Sequence, residues 1–218
     1  MIETGVYFGD AHSFYDLDLI LSSVNIPPAT PKTNYIDIPG GDGSIDLTEA
    51  HGEIKYSDRN CSFIFTVSPE DNLTFEERKK AVSNILNGRK CKITLDKDSD
   101  YYYNGRLSVN QYKQDGNLKQ ITIDARVGPY KYKQKETVVT FAIDTTEKMF
   151  LLKNDRKSVV PKITCTAETT IIFDENTFTL AAGTHQILEI CLVESENILK
   201  ITGKAKGTVT FTYQEGAL

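Results

Sequence analysis

Cys61-Ser-Phe63-Ile-Phe65-Thr-Val67 places an apolar side chain at every second position, the period of a strand that buries one face. Cys91-Lys-Ile93-Thr-Leu95 repeats the pattern, and in both runs the cysteine falls on the apolar side. Between them lies a segment of different period. Thr74-Phe-Glu-Glu77 is a capping box, in which the Thr hydroxyl accepts an orphan amide and Glu77 reaches back to the Thr74 N–H. Ala81, Val82, Ile85 and Leu86 follow at helical spacing, and Gly88 can supply a left-handed stop, so a helix is expected over about residues 75–87. Lys79 and Lys80 should then lie on its outer face, opposite Val82 and Leu86.

The rest reads as β. Upstream, the apolar stretch Leu17 to Val24 leads into Pro27-Pro28 and Pro31, an extended segment outside any ladder. Asn34 to Ile38 is a strand, Pro39-Gly-Gly-Asp-Gly43 a tight loop, and Ile45-Asp-Leu47 resumes the alternation. Downstream, Tyr101 to Tyr112 turns at Asp115-Gly116 into Leu118 to Val127, a hairpin by its turn chemistry. After Gly128-Pro129 come short strands at Val138–Ile143, Val159–Cys165, Thr169–Phe173, Thr177–Leu180, Gln186–Val193, Ile198–Thr202 and Thr208–Tyr213. This regular spacing predicts a β-sandwich. The expectation is a mainly β chain of two domains, residues 1–133 with the helix and residues 134–218 forming the sandwich.

Charge excludes one class of function. The net charge is −5 over 218 residues, −3 in residues 1–133 and −2 in the remainder, so neither part is a basic nucleic-acid binder. No Lys or Arg precedes Lys32 and no apolar run nears the length of a membrane span, which points to a protein made soluble in a cytoplasm. Cys61, Cys91, Cys165 and Cys191 lie at least 26 positions apart, without CxxC spacing, and read as buried free thiols on strands, with a disulfide left open.

No chemistry-bearing pattern is complete. Asp96-Lys-Asp98-Ser-Asp100 opens like a calcium loop, but Tyr101 and Leu107 stand where Gly and a bidentate Glu are needed. Gly40-Gly-Asp-Gly43 lacks the ending of a phosphate-binding loop and no helix follows it. His12, His51 and His185 are scattered, and Glu76 and Glu77 serve the helix dipole. Trp is absent, and Tyr101-Tyr102-Tyr103 reads as cross-strand packing rather than a sugar platform. No cofactor, metal or catalytic constellation is expected.

Tyr35-Ile-Asp-Ile-Pro-Gly-Gly-Asp-Gly-Ser-Ile-Asp-Leu-Thr-Glu-Ala50 resembles the IPG-x-DGS-x-DLTE signature of distal tail proteins of long-tailed, non-contractile phages of Gram-positive bacteria. The segment from Ser83 to Tyr103 and the closing Phe211-Thr-Tyr-Gln-Glu-Gly-Ala-Leu218 agree in order and spacing, so the resemblance covers nearly the whole chain. Gly41 departs from the family, which commonly carries Arg there. The resemblance implies an N-terminal domain related to tail-tube proteins, a C-terminal galectin-like sandwich, and a ring of six copies at the virion tail tip. The ring would join the tail tube protein to the tail-associated tip protein, and to receptor-binding or baseplate proteins.

On this reading the constrained loop Ile38, Pro39, Gly40, Gly41, Asp42 and Gly43 is the candidate subunit interface. DNA would pass through the ring without specific binding, and no membrane is involved. A structural hub without catalysis is the first hypothesis. The alternative is a carbohydrate-binding adhesion module that touches the host wall.

Overall fold

A computed structural model describes residues 4–50, 52–67 and 73–218, which fall into two compact units, Met1–Lys131 and Tyr132–Leu218. The first unit contains β1 (Val6–Phe8), β2 (Ala11–His12), β3 (Leu19–Asn25), β4 (Tyr35–Asp37), β5 (Ser44–Asp46), β6 (Arg59–Val67), α1 (Phe75–Leu86), β7 (Lys90–Leu95), β8 (Tyr101–Asp115) and β9 (Leu118–Val127). Seven of these strands form an antiparallel sheet in the order β2-β1-β7-β8-β9-β6-β3. Register puts Cys61 opposite Ala125, Phe63 opposite Ile123 and Phe65 opposite Ile121, so the alternation of β6 and β9 falls on one buried face. Phe8 meets Phe63 and Phe65 edge-on, with ring centroids 5.6 and 6.1 Å apart. Phe75, Val82 and Leu86 of α1 join the same core.

The capping box at Thr74 is formed in both directions. At the other end Gly88 adopts φ +76° and its N–H donates to the Leu107 carbonyl at 2.9 Å, which ties the helix exit to β8. Two basic side chains of the helix are drawn out of solvent, and one of them, Lys79, is expected on the outer face. Arg78 is buried, and its guanidinium donates to Asp18 at 2.7 Å. Lys79 is half-buried, with its ammonium 5.3 Å from the ring centroids of both Phe75 and Tyr112, because its aliphatic stem covers apolar surface while the charge meets Glu76. Lys80 is exposed.

The apolar stretch Leu17 to Val24, whose sequence alone sets no element, contributes the edge strand β3. Leu19 is buried and the far end of the strand is exposed. The β8–β9 hairpin closes through the two-residue loop Gly116-Asn117, with Gly116 at φ +58° in the first loop position.

The second unit is a sandwich. After β10 (Lys131–Lys133) come β11 (Thr137–Ile143), β12 (Lys148–Asn154), β13 (Lys162–Cys165), β14 (Thr169–Phe173), β15 (Asn176–Leu180), β16 (Gly183–His185), β17 (Ser195–Gly203), β18 (Gly207–Tyr213) and β19 (Gly216–Ala217). One sheet runs β11-β18-β13-β16 and the other β12-β17-β14-β15. Ile163, Val209, Phe211 and Tyr213 of the first meet Leu152, Ile171, Leu199 and Ile201 of the second in a single apolar cluster.

Three sequence expectations change here. Lys148-Met-Phe-Leu-Leu-Lys-Asn154, not expected as a strand, is β12 and pairs along its full length with β17. Gln186 to Val193 is not a strand. Ile190 and Leu192 do point into the core, which produces the alternation, but Ile190 N–H turns back onto the Ile187 carbonyl at 3.1 Å and the segment makes one bridge, Leu192 to Val159. Side-chain amides replace a ladder: Asn154 donates to the Leu192 carbonyl at 3.1 Å, and Asn197 accepts from the Val193 N–H at 2.8 Å. The expected strand Val159 to Cys165 begins its ladder only at Lys162, after Pro161, which has no N–H to donate.

All four cysteines are free. Cys61 and Cys165 are buried on strands and Cys91 is half-buried on β7, and burial pushes all three thiols up from their ordinary pKa. Cys191 is the exception to the expectation, since it lies in the irregular segment before β17.

Burial, with the Glu215 carboxylate nearby, pushes the Tyr213 phenol up to about 12, and its hydroxyl donates to the Lys153 carbonyl at 2.5 Å. The folded protein therefore keeps the proton where the unfolded chain loses it. Stability should be full below pH 10 and fall as pH rises through 12. Urea midpoints measured from pH 8 to 12 should show this decline, and Tyr213→Phe should flatten it at a cost of about 1–2 kcal/mol at neutral pH for the lost hydrogen bond.

Candidate functional site

Among the described residues β4 and β5 pair only with each other. Tyr35 faces Asp46, Ile36 faces Ile45 and Asp37 faces Ser44, and every residue from Pro31 to Asp46 is exposed. The sequence of this arm alternates like a core strand, yet neither hydrophobic cluster includes any of it. Ile36 and Ile45, each 50% exposed, stand opposite one another, and Ile38, two positions on, is 44% exposed. Tyr35, 55% exposed, adds a large ring.

The base of the arm is fixed by backbone bonds. Lys32 N–H donates to the Lys55 carbonyl at 2.7 Å, Ser57 N–H to Thr30 at 2.9 Å and Leu47 N–H to Asn34 at 2.8 Å. Thr48 finishes the closure: its N–H donates to Asp46 Oδ1 at 2.9 Å and its Oγ1 accepts from Asn34 N–H at 3.1 Å. The Thr48 hydroxyl and amide hold the Asp46 carboxyl below the usual carboxylate range.

At the tip, the expected interface residues Ile38, Pro39, Gly40, Gly41, Asp42 and Gly43 form one exposed loop. Gly41 N–H donates to the Ile38 carbonyl at 3.1 Å, and Gly40 and Gly43 sit at φ +78° and +77°. A Cβ at either position would meet nothing within 4 Å, so these glycines answer to backbone conformation and not to space. A Cβ at Gly41 would lie 3.1 Å from Ile38 Cγ2, so a larger residue there must displace the exposed Ile38 side chain.

An isolated two-stranded hairpin is marginal in water, and this one spends its apolar residues on solvent. Its chemistry is that of a contact surface. Sequence reasoning found the loop but missed Tyr35, Ile36 and Ile45, whose alternation reads as burial; the flanking Pro27-Pro28 and Pro31, which detach the segment from the sheet, were the available signal.

The remaining polar motifs have structural partners. Asp96 Oδ2 accepts from Gly5 N–H at 2.6 Å and lies 3.2 Å from His12 Nε2, whereas Asp98 Oδ2 pairs with Lys131 at 2.7 Å, so the two carboxylates serve different neighbours. His12 is buried, His185 Nε2 bonds the Ala181 carbonyl at 2.8 Å, and His51 lies outside the described residues. Among the described residues no group of His, Cys, Asp and Glu could hold a metal ion, and no helix is long and apolar enough to cross a membrane.

The profile of the phage tail protein RIFT-related domain matches residues 9–144, more than half of the chain. No curated protein sequence matches it. Among solved structures, the chain is similar to the crystal structure of phage SPP1 Dit, described as a paradigm of the hub adsorption apparatus in Gram-positive-infecting phages. The TM-score is 0.69 at 14% identity, over 97% of this chain and 98% of that one. A mainly β chain with one α-helix among its described residues and a sandwich, whose fold follows a distal tail protein from end to end, belongs to the phage tail protein family of the RIFT-related domain.

Proposed function

We propose that the protein is a structural hub at the virion tail tip, a ring of six copies that joins the tail tube protein to the tip proteins and has no catalytic role. The observation that carries this reading is the β4–β5 arm, an apolar hairpin rooted in the first unit and packed in neither core. A heterologous contact, in which one copy's arm meets a different surface on the next, generates a ring when the rotation closes. The family match and the fold shared with SPP1 Dit support it.

The test is direct. The full chain should sediment as a closed oligomer, alone or with a tip protein, and negative-stain images should show six-fold rings. Ile36→Asp should abolish the oligomer yet leave the stability of the single chain within about 0.5 kcal/mol, because the site is exposed. Assembly of the variant equal to that of the wild-type chain would refute the arm as the subunit contact.

DNA would traverse the ring without being held. Each cation that neutralises a phosphate adds a salt-dependent contribution to affinity, and residues 1–133 carry a net charge of −3. Duplex DNA should therefore show no binding at physiological salt; binding that weakens steeply with added salt would contradict this.

A further inference from the structure

Arg59 opens β6 on the strand's inward face, in line with Cys61, Phe63 and Phe65, and is only 5% exposed. Its guanidinium has almost nothing to bind. Nη1 reaches the Pro27 carbonyl at 3.5 Å, the outer limit of a hydrogen bond, and Cζ lies 5.1 Å from the centroid of the Tyr103 ring. Nε and Nη2 are buried with no partner among the described residues. The neighbouring acid does not help, since Asp58 is engaged with Arg126 at 2.9 Å. A buried guanidinium with two orphaned nitrogens is a costly arrangement, and it offers the side-by-side donor geometry that a carboxylate accepts.

Two features connect this site to the arm. Pro27, whose carbonyl Arg59 Nη1 reaches, begins the proline segment whose other end, Pro31, bridges to Tyr56 and leads into β4. The arm's tip carries Asp42, exposed between Gly41 and Gly43, with no hydrogen bond or ion pair among the described residues. An unpaired acid on a slim, projecting glycine loop complements an unpaired base at the arm's own root. We propose that Arg59 is a receptor for a carboxylate delivered by a second copy of this chain, and that Asp42 delivers it. This rests on the ring reading above. Docking would give the Nε–Nη2 edge of Arg59 a bidentate partner, so that the pairing is made only between copies and sets their register.

The experiment is a charge-reversal cycle on the full chain, read by sedimentation velocity over a concentration series. Asp42→Arg and Arg59→Glu should each weaken self-association at least about tenfold, and the double variant should recover most of the loss. Arg59→Met gives a second readout: at concentrations where the chain is monomeric it should raise the thermal midpoint by about 2 °C or more, because it removes an unpaired buried charge, yet it should still impair assembly. Asp42→Asn, on an exposed loop, tests the accepting carboxylate with no folding risk. If the wild-type chain assembles and the Asp42 variants assemble equally well, this proposal falls and the ring reading stands. Loss of assembly with Arg59 variants alone also overturns it, since the carboxylate then comes from elsewhere. A wild-type chain that stays monomeric in every mixture defeats both.

Discussion

Truncating Phe211 to alanine should destabilise the C-terminal unit by about 3–5 kcal/mol, the range for emptying a buried aromatic site. Phe211 has no exposed surface and sits on β18, the inner strand between β11 and β13, where it faces Val139 on one side and Ile163 on the other. Its ring meets Phe141 edge-on at 6.1 Å, and Phe141 stacks on Phe150 at 4.3 Å. A strand held by ladders on both sides cannot move in to fill the hole, so the cavity persists and the cost falls at the upper end of the range. A loss of that size approaches the whole stability of a small domain. Urea unfolding followed by far-UV circular dichroism should show the midpoint shift at unchanged slope. Val138→Ala, on the same sheet but 61% exposed, should shift stability by no more than about 0.5 kcal/mol. If both variants cost the same, the assigned inner face of this sheet is wrong.

The second large effect lies at a glycine with no turn to explain it. Gly5→Ala should cost about 2–4 kcal/mol, from overpacking and from broken buried hydrogen bonds. A Cβ there would lie 2.4 Å from both His12 Cε1 and Nε2 and 2.9 Å from Ser13 Oγ. His12 cannot step aside. Its Nδ1 accepts from the Phe14 and Tyr15 amides at 3.2 Å each, its Nε2 faces Asp96, and its ring stacks on Tyr15 with centroids 4.6 Å apart. Gly5 itself is clamped to Asp96 in both directions, its N–H to Oδ2 at 2.6 Å and its carbonyl from the Asp96 amide at 3.2 Å. The alanine must therefore break either the imidazole network or the tie between the first segment and β7. Thermal unfolding of Gly5→Ala beside Gly128→Ala, a site with open space around it and no left-handed backbone, separates this clash from a general effect of losing a glycine. His12→Ala removes the imidazole from this clash and leaves only the 2.9 Å approach to Ser13 Oγ, so adding Gly5→Ala should cost clearly less in the His12→Ala background than in the wild-type chain.

What the chain's residues determine by themselves is local. The capping box at Thr74, the stop at Gly88 and the tight turn at Gly116 are each set by neighbours within a few positions, and all three form as their residue types dictate. The alternation of β6 and β9 likewise settles which side chains share a face. Alternation cannot say whether that face meets a core. Ile36 and Ile45 carry the same signal as Phe63 and Phe65, yet the first pair ends on an exposed arm and the second at the centre of a unit, because burial depends on which strands find partners at long range. Lys148 to Asn154 and Gln186 to Val193 show the same limit from opposite sides. The first became a strand because β17 was there to receive it, and the second lost its ladder to the side-chain amides of Asn154 and Asn197. Arg59 and Gly5 were invisible at the level of sequence for a related reason: an orphaned donor and a space too small for a methyl group exist only once residues distant in sequence have closed around them.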